Sequence, residues 1–369
     1  MAGPEDKVRG QEAVMTVTLP LAVTMGEPAG IGGDTILKAW AGRAENGVPP
    51  FFVVDDPARL EALARRLGLD VPVHRLAGAG PGETGPGETG PGEAGPGEVA
   101  ELFATALPVL PLELPGRVEP GHPDPANGLA VIASIDRAMD LVRDHAAAAL
   151  VTSPIHKSVL YRAGFSHPGH TEYLAARAGC GEPPVMMLEG GGLRVVLATI
   201  HLSLRDAAAA LDSAAIVHVG RVAAAALVRD FGIASPRLVV AALNPHAGED
   251  GALGREEIDI IAPAVAALRA LGIAVAGPRP ADTLFHAAAR AGYDAAICMY
   301  HDQGLIPLKT LDFETGVNIT LGLPFVRTSP DHGTALDIAG TGRASPSSLV
   351  AAMKTAARMA GQRSAQACD

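Results

Sequence analysis

The sequence predicts an α/β fold on three observations. Short apolar runs of strand length alternate with longer stretches of helical spacing. The runs are rich in Val, Leu and Ala, and each ends in a cluster of polar residues. Val17 to Thr24 (VTLPLAVT) reads as a buried first strand, Gly26 to Gly33 (GEPAGIGG) as a Gly/Pro turn, and Asp34 to Ala41 as a helix. Phe51 to Val54 is a second strand, and Pro57 to Leu67 has helical spacing.

Residues Gly80 to Glu98 interrupt the alternation with a Gly-Pro-Gly-Glu repeat whose fifth position varies. Its period of five is not that of collagen, and its composition predicts a disordered surface insertion. Beyond it, Ala126 to Arg143 is an amphipathic helix and Ala147 to Thr152 a strand. Leu193 to Thr199, Arg237 to Leu243 and Ala295 to Met299 are further buried strands. Helices are expected at Leu204 to Asp230, Glu256 to Leu271, Ala281 to Ala291 and Ser347 to Gly361.

The chain has 369 residues, 48% of them apolar, enough for a sizeable core. Its formal charge of -11 argues against sequence-independent nucleic-acid binding, because nothing offsets phosphate repulsion. Cys180, Cys298 and Cys368 have no CxxC spacing, which fits reduced thiols in the cytoplasm rather than a disulfide framework. No apolar run reaches the roughly 18 residues of a membrane span, and the polar residues 1–14 read as a frayed tail, not a signal peptide.

In α/β sheets ligands bind at the carboxyl ends of strands, so the polar strand ends are where chemistry is expected. His201, His246 and His301 each follow an apolar run closely. Three imidazoles suit a divalent metal and leave positions open for substrate oxygen. A strand-end histidine is also a common hydrogen-bonding loop residue, and spacings of 45 and 55 residues match no short metal signature. Asp302 is a fourth ligand or a turn residue.

Gly169-His170-Thr171-Glu172 opens a helix whose free N–H groups suit a phosphate or carboxylate; simple capping by Thr171 is the plainer reading. Lys309 (GLIPLKTL) and Arg327 (after LPFV) are cations in apolar stretches, which need either a ligand or a salt-bridge partner. Asn318 in GVNITLG contacts a ligand or makes a turn. The Gly-rich DHGTALDIAGTG, from Asp331 to Gly342, allows close approach to a cofactor or forms a tight connection. GEPAGIG is not a GxGxxG fingerprint, so a simple Rossmann site is absent.

Taken in order, TMGEPAGIG, VTSPIHK, PGHTEYLA, HLSLRD, LNPHAGEDGALGREE, GPRPADTLF, MYHDQGLIPLK, GVNITLGLPFVRTSPDHGTALDIAG and GRASPSSL resemble the 4-hydroxythreonine-4-phosphate dehydrogenase family of vitamin B6 synthesis, over Val17 to Met359. The resemblance implies a two-domain α/β fold like the isocitrate and isopropylmalate dehydrogenases, with the active site in the interdomain cleft. Its first domain would take residues 15–155 and 325–365, and its second, with the metal site, residues 156–324.

It further implies a divalent metal on His201, His246 and His301, zinc first and Mg, Mn or Co as alternatives. Substrate contacts fall on His170, Thr171, Lys309, Asn318 and Arg327, with Asp282 also at the active site and Lys309 in a proton-transfer or carboxylate-neutralising role. NAD contacts fall on His332, Gly333, Thr334 and Asp337. The implied assembly is a homodimer with its site near the subunit interface. The implied reaction is oxidation of 4-phosphooxy-threonine to the 3-oxo acid followed by decarboxylation to 3-amino-2-oxopropyl phosphate, with another phosphorylated hydroxy acid as the alternative substrate and no nucleic-acid or membrane partner. Related branches oxidise 4-phospho-hydroxythreonate or an aromatic cis-dihydrodiol carboxylate; GHT and RTSPDHGT set the chain apart from the aromatic branch, and both a phosphorylated amino acid and a phosphorylated hydroxy acid remain open as substrates. The family's TGP is here Thr152-Ser153-Pro154, and its GIGP ends here in Gly33.

Overall fold

A computed structural model describes residues 19–77 and 96–366. Among them, twelve strands form one sheet: β1 (Leu21–Thr24), β2 (Phe51–Asp55), β3 (Val73–Arg75), β4 (Leu107–Pro111), β5 (Leu150–Val151), β6 (Val185–Gly190), β7 (Leu193–Leu197), β8 (Arg237–Ala241), β9 (Ala274–Arg279), β10 (Ala295–Cys298), β11 (Val317–Leu321) and β12 (Arg327–Pro330). The order is β3-β4-β2-β1-β5-β12-β11-β6-β7-β10-β8-β9. All pairs are parallel except β12–β11, β11–β6 and β6–β7. This is the α/β fold of the isocitrate and isopropylmalate dehydrogenases. Strands drawn from residues 15–155 and 325–365 fill one half of the sheet and those from 156–324 the other. The antiparallel β12–β11 ladder joins the halves.

Both faces are covered, and the sequence shows why. Successive strand residues point to opposite faces. Leu21, Val23, Phe51 and Val53 enter one core with the helices Gly32–Ala41, Ser213–Arg229 and Ser347–Gln366. Ala22, Phe52 and Val54 enter another with Ile135 and Met139 of the helix Gly128–Arg143. A strand buried on both sides reads as a continuous apolar run rather than an alternation.

Three helical expectations need correction. The stretch 204–230 is two helices, Leu204–Ala210 and Ser213–Arg229, because Asp212 turns extended and its side chain accepts from Ala215 N, starting a new helix. Residues 256–271 begin as a π-turn, Glu257–Ile261, before the α-helix Ala262–Ala270. Residues 281–291 hold only a 3-10 turn and the single turn Ala287–Arg290, since His286 is extended and caps the latter. The expected tail and residues 80–95 of the expected insertion lie outside the described residues, and residues 96–98 are helical: Pro96 opens the helix Pro96–Thr105. Proline is well placed in a first helical turn, where its missing N–H costs nothing. Among the described residues no single helix is long and apolar enough to cross a membrane; Leu204–Ala210 and Ser213–Arg229 pass together by composition but meet at 91°.

Candidate active site

A cleft of about 450 Å³ opens where the halves of the sheet meet. It is walled by residues that follow β5 (Thr152 to Ile155), β7 (His201), β10 (His301) and β12 (Asp331 to Gly333), so strand ends carry it.

One end is built for an anion. Arg327 opens β12 and is 4% exposed, and its guanidinium has no carboxylate partner within salt-bridge distance among the described residues. Nε and Nη2 donate to Thr152 Oγ1 at 3.2 and 2.6 Å, and Nη1 donates to Thr320 Oγ1 at 2.8 Å. A guanidinium carries five N–H donors, so three are fixed by hydroxyls and two stay open. Burial pulls its pKa down to about 10, which still leaves it charged at neutral pH. Beside it the helix His170–Ala178 points its N-terminus into the cleft. Gly169, not Thr171, is the N-cap, and no side chain caps it, so the first N–H groups remain free for a ligand. Thr171 lies within 3.5 Å of Thr320 Oγ1 instead. Desolvation, then the charges of Arg327 and Lys157, hold His170 well below the usual imidazole range. Its Nε2 is buried without a partner.

Asn318 is in a strand rather than a turn. Register places it between Leu188 of β6 and Ser329 of β12, and its Oδ1 is buried without a partner in the cleft wall. Lys309, on the helix His301–Leu311, pairs with Asp331 Oδ2 at 3.0 Å. Of the residues expected to meet a cofactor, His332 and Gly333 line the cleft. His332 Nδ1 sits 3.0 Å from Gly333 O, which fixes the proton there and leaves the buried Nε2 an open acceptor. Thr334 is turned toward the 26–33 segment, its carbonyl accepting from Ile31 N at 3.0 Å, and Asp337 is exposed outside the cleft.

The histidines divide. The His201 and His301 rings lie 6.0 Å apart, and His301 Nδ1 is bound to Asp302 Oδ1 at 2.7 Å, which orients the ring and frees Nε2. His246 does not line the cleft. It sits after β8 in a segment, residues 246–250, in which every φ is positive, from 43° to 82°. Four of those residues are not glycine, and that backbone is costly unless its surroundings enforce it. Here Glu257 Oε1 accepts from Leu243 N and Asn244 N at 2.8 and 2.7 Å and pins the segment's start. Asp282 is likewise exposed and off the cleft, in the turn after β9, the strand next to β8. Among the described residues no three His, Cys, Asp or Glu side chains converge as a metal site within one chain.

Six polar cleft residues escaped the sequence reading as single candidates: Thr152, Ser153, Lys157, Glu172, Ser329 and Asp331. All six fall inside segments that carried the resemblance, but nothing in their own spacing distinguished them.

A cleft with a free cation, an open helix N-terminus and two neighbouring imidazoles on an α/β sheet defines a protein that takes a small anionic ligand at its strand ends. Residues 49–356 match the family described as "Pyridoxal phosphate biosynthetic protein PdxA", and the chain belongs to that family. It is 53% identical over 350 residues to a 4-hydroxythreonine-4-phosphate dehydrogenase of Xanthobacter autotrophicus, covering 94% of this chain and 95% of the relative. The crystal structure of a 4-hydroxythreonine-4-phosphate dehydrogenase from Klebsiella pneumoniae superposes with a TM-score of 0.80 at 39% identity, covering 93% of this chain and 99% of that one. A terephthalate 1,2-cis-dihydrodiol dehydrogenase from Burkholderia xenovorans is more distant, with a TM-score of 0.60 at 29% identity over 92% of this chain and 98% of that one.

Proposed function

We propose that the chain is a metal-dependent NAD dehydrogenase that oxidises 4-phosphooxy-threonine at its hydroxyl-bearing carbon. The 3-oxo acid then loses carbon dioxide to give 3-amino-2-oxopropyl phosphate, and NADH leaves with the hydride. The observation that carries the reading is Arg327, a buried cation with two donors open to the cleft and no acidic partner. Arg327, His170, Thr171 and the free N–H groups of their helix hold the phosphate. Neutral His170 donates or accepts there without adding a buried charge. Asn318 Oδ1 accepts from the substrate, and Lys309 meets the carboxylate and moves a proton beside it.

His201 and His301 fit a divalent metal, zinc first and Mg, Mn or Co as alternatives, because Asp302 already orients one ring and frees its outer nitrogen. When bound, the metal supplies Lewis-acid polarisation of a substrate oxygen. Two imidazoles leave the ligand set short. Exposed Leu202, Leu204 and Ile306, at 48%, 65% and 64%, lie on or beside the segments that carry the pair, and they make a surface suited to a second copy of the chain. In that homodimer exposed His246 would supply the third ligand to the other subunit's metal site, and exposed Asp282 would act at the active site from the same interface. The two halves of the sheet act as the two domains of the cleft, and His332, Gly333, Thr334 and Asp337 serve NAD. Free Cys180 and Cys298 suit a reducing cytoplasm.

The second reading, the same chemistry on 4-phospho-hydroxythreonate, keeps the phosphate site and exchanges only the amine. NADH formation with divalent metal present, compared across the phosphorylated amino acid, the phosphorylated threonate and an unphosphorylated analogue, separates them. Turnover of the first alone supports the proposal, preference for the second moves it, and equal turnover of the unphosphorylated analogue defeats the role given to Arg327.

A further inference from the structure

Apart from its histidines, the cleft is lined by three cations, Lys157, Lys309 and Arg327, and by two carboxylates, Glu172 and Asp331. Asp331 is taken by Lys309 at 3.0 Å. Among the described residues, the only other ion pair made by a cleft residue is that of His301 with Asp302. Glu172 therefore stands in a cleft built for anions as a half-buried carboxylate with no cation of its own. Such a charge is costly without a partner, and beside a bound phosphate it is repulsive as well.

The helix does not account for it. Glu172 is the third residue of the helix His170–Ala178, from where a carboxylate can reach back to the N–H of the N-cap. Glu172 makes no such bond, and the N-terminus of the helix stays open. The helix dipole favours an acid in the first turn but does not require one that faces the cleft. The Glu172 charge is felt on both sides of it. Burial lowers the pKa of Arg327, and Glu172 opposes that shift. Burial, then the charges of Lys157 and His301, lower that of His201, and Glu172 opposes this one too.

A second acceptor faces the same space. Asn318 Oδ1 is buried in the cleft wall without a donor. Side chains two apart on a strand share a face. Asn318 thus points the same way as Thr320, whose hydroxyl lies 3.5 Å from that of Thr171, the neighbour of Glu172. Arg327 and the helix N–H groups meet a phosphate, and Lys309 meets a carboxylate. What remains is a carboxylate and an amide oxygen that both lack donors, and the group that answers them is a cation rich in N–H.

We infer that Glu172, with Asn318 Oδ1 beside it, takes the substrate's ammonium, so that the cleft selects a phosphorylated 2-amino acid over the 2-hydroxy acid that differs from it only there. The inference rests on the phosphorylated-substrate reading above. An ammonium offers three donors and a charge, a hydroxyl one donor and no charge. With the hydroxy acid bound, the Glu172 charge stays unanswered beside the phosphate.

The test compares kcat/KM of the holoenzyme for 4-phosphooxy-threonine and 4-phospho-hydroxythreonate in the wild type, Glu172→Gln and Glu172→Asp, with the melting temperature of each. Glutamine keeps the shape of the side chain and removes its charge, so a merely structural role would lower both substrates alike. The wild type is expected to prefer the amino acid. The preference of Glu172→Gln is expected to be smaller by about tenfold or more, and Glu172→Asp regains part of it. Equal losses on both substrates, or an unchanged preference, return Glu172 to the helix end and overturn the inference while the phosphorylated-substrate reading stands. A wild type that prefers the threonate overturns it without any variant. A wild type that oxidises neither overturns that reading and this one with it.

Discussion

Lys309 Nζ stands 3.0 Å from Asp331 Oδ2, and this ion pair ties the helix after β10 to the loop after β12 at the wall of the cleft. The helix comes from one half of the sheet and the loop from the other. Lys309 is thus held by an acidic residue next to His332, while its side chain remains 35% exposed at the cleft wall.

A positioned proton-transfer group contributes about 10²- to 10⁴-fold in rate. Lys309→Met is expected to lower kcat by about 100-fold or more and to weaken the thermal shift given by substrate, with metal content unchanged. Turnover near the wild-type level returns Lys309 to a purely structural pairing with Asp331.

Arg327 offers a different split. Its three fixed donors go to Thr152 and Thr320, so the protein loses only hydroxyl contacts when the charge is removed. Replacing a buried charge by an apolar chain of similar length relieves desolvation. Arg327→Met is expected to keep or raise the melting temperature. A charge-assisted hydrogen bond is worth about 1.5–3 kcal/mol, so kcat/KM for the phosphorylated substrate falls about 10- to 100-fold. A matching loss with an unphosphorylated analogue shows that Arg327 does not read the phosphate.

His170 gives a pH dependence of stability. Its folded pKa lies well below the usual imidazole value, through desolvation first and then the Arg327 and Lys157 charges. An unfolded imidazole titrates near 6.5. Above about pH 6.5 both states are neutral and nothing is lost. As the pH falls below that value the unfolded chain takes up a proton that the folded one refuses, so stability declines toward the folded pKa. Urea midpoints between pH 5 and 8 are expected to fall on the acid side, and His170→Gln flattens that part of the decline. An unchanged slope in the variant assigns the acid limb to other groups.

The fold was legible at β1, β2, β7, β8 and β10, which read as continuous apolar runs; β4, also buried on both faces, was missed because two prolines interrupt its short run. β12, Arg327–Pro330, was not: its polar residues are buried because they serve the cleft, so no apolar pattern marks it. The break at Asp212 was written as a cap but hidden within an Ala-rich helical stretch. Among site residues, Arg327 and Lys309 stood out as cations in apolar surroundings. Ser153 and Lys157 did not, since their place in the cleft depends on which strands neighbour β5, a relation that local sequence does not carry.

The histidines supply the last prediction. His201 and His301 face each other within one chain, whereas His246 stands off the cleft on a left-handed segment braced by Glu257. Under the homodimer proposed above, a metal site needing all three would draw on two chains. Ala at His301 and Ala at His246 are each expected to lower bound metal and NADH formation, since a site short of one ligand binds metal far more weakly. The two variants differ in which half of the shared site they damage. When inactive His301→Ala and His246→Ala chains are unfolded, mixed and refolded together, each mixed dimer has one site with both defects and one with neither. Turnover is then expected to reappear in the mixture and not in either variant refolded alone. Mixed dimers that form but stay inactive place His246 outside the partner's site, and the third ligand must be sought elsewhere.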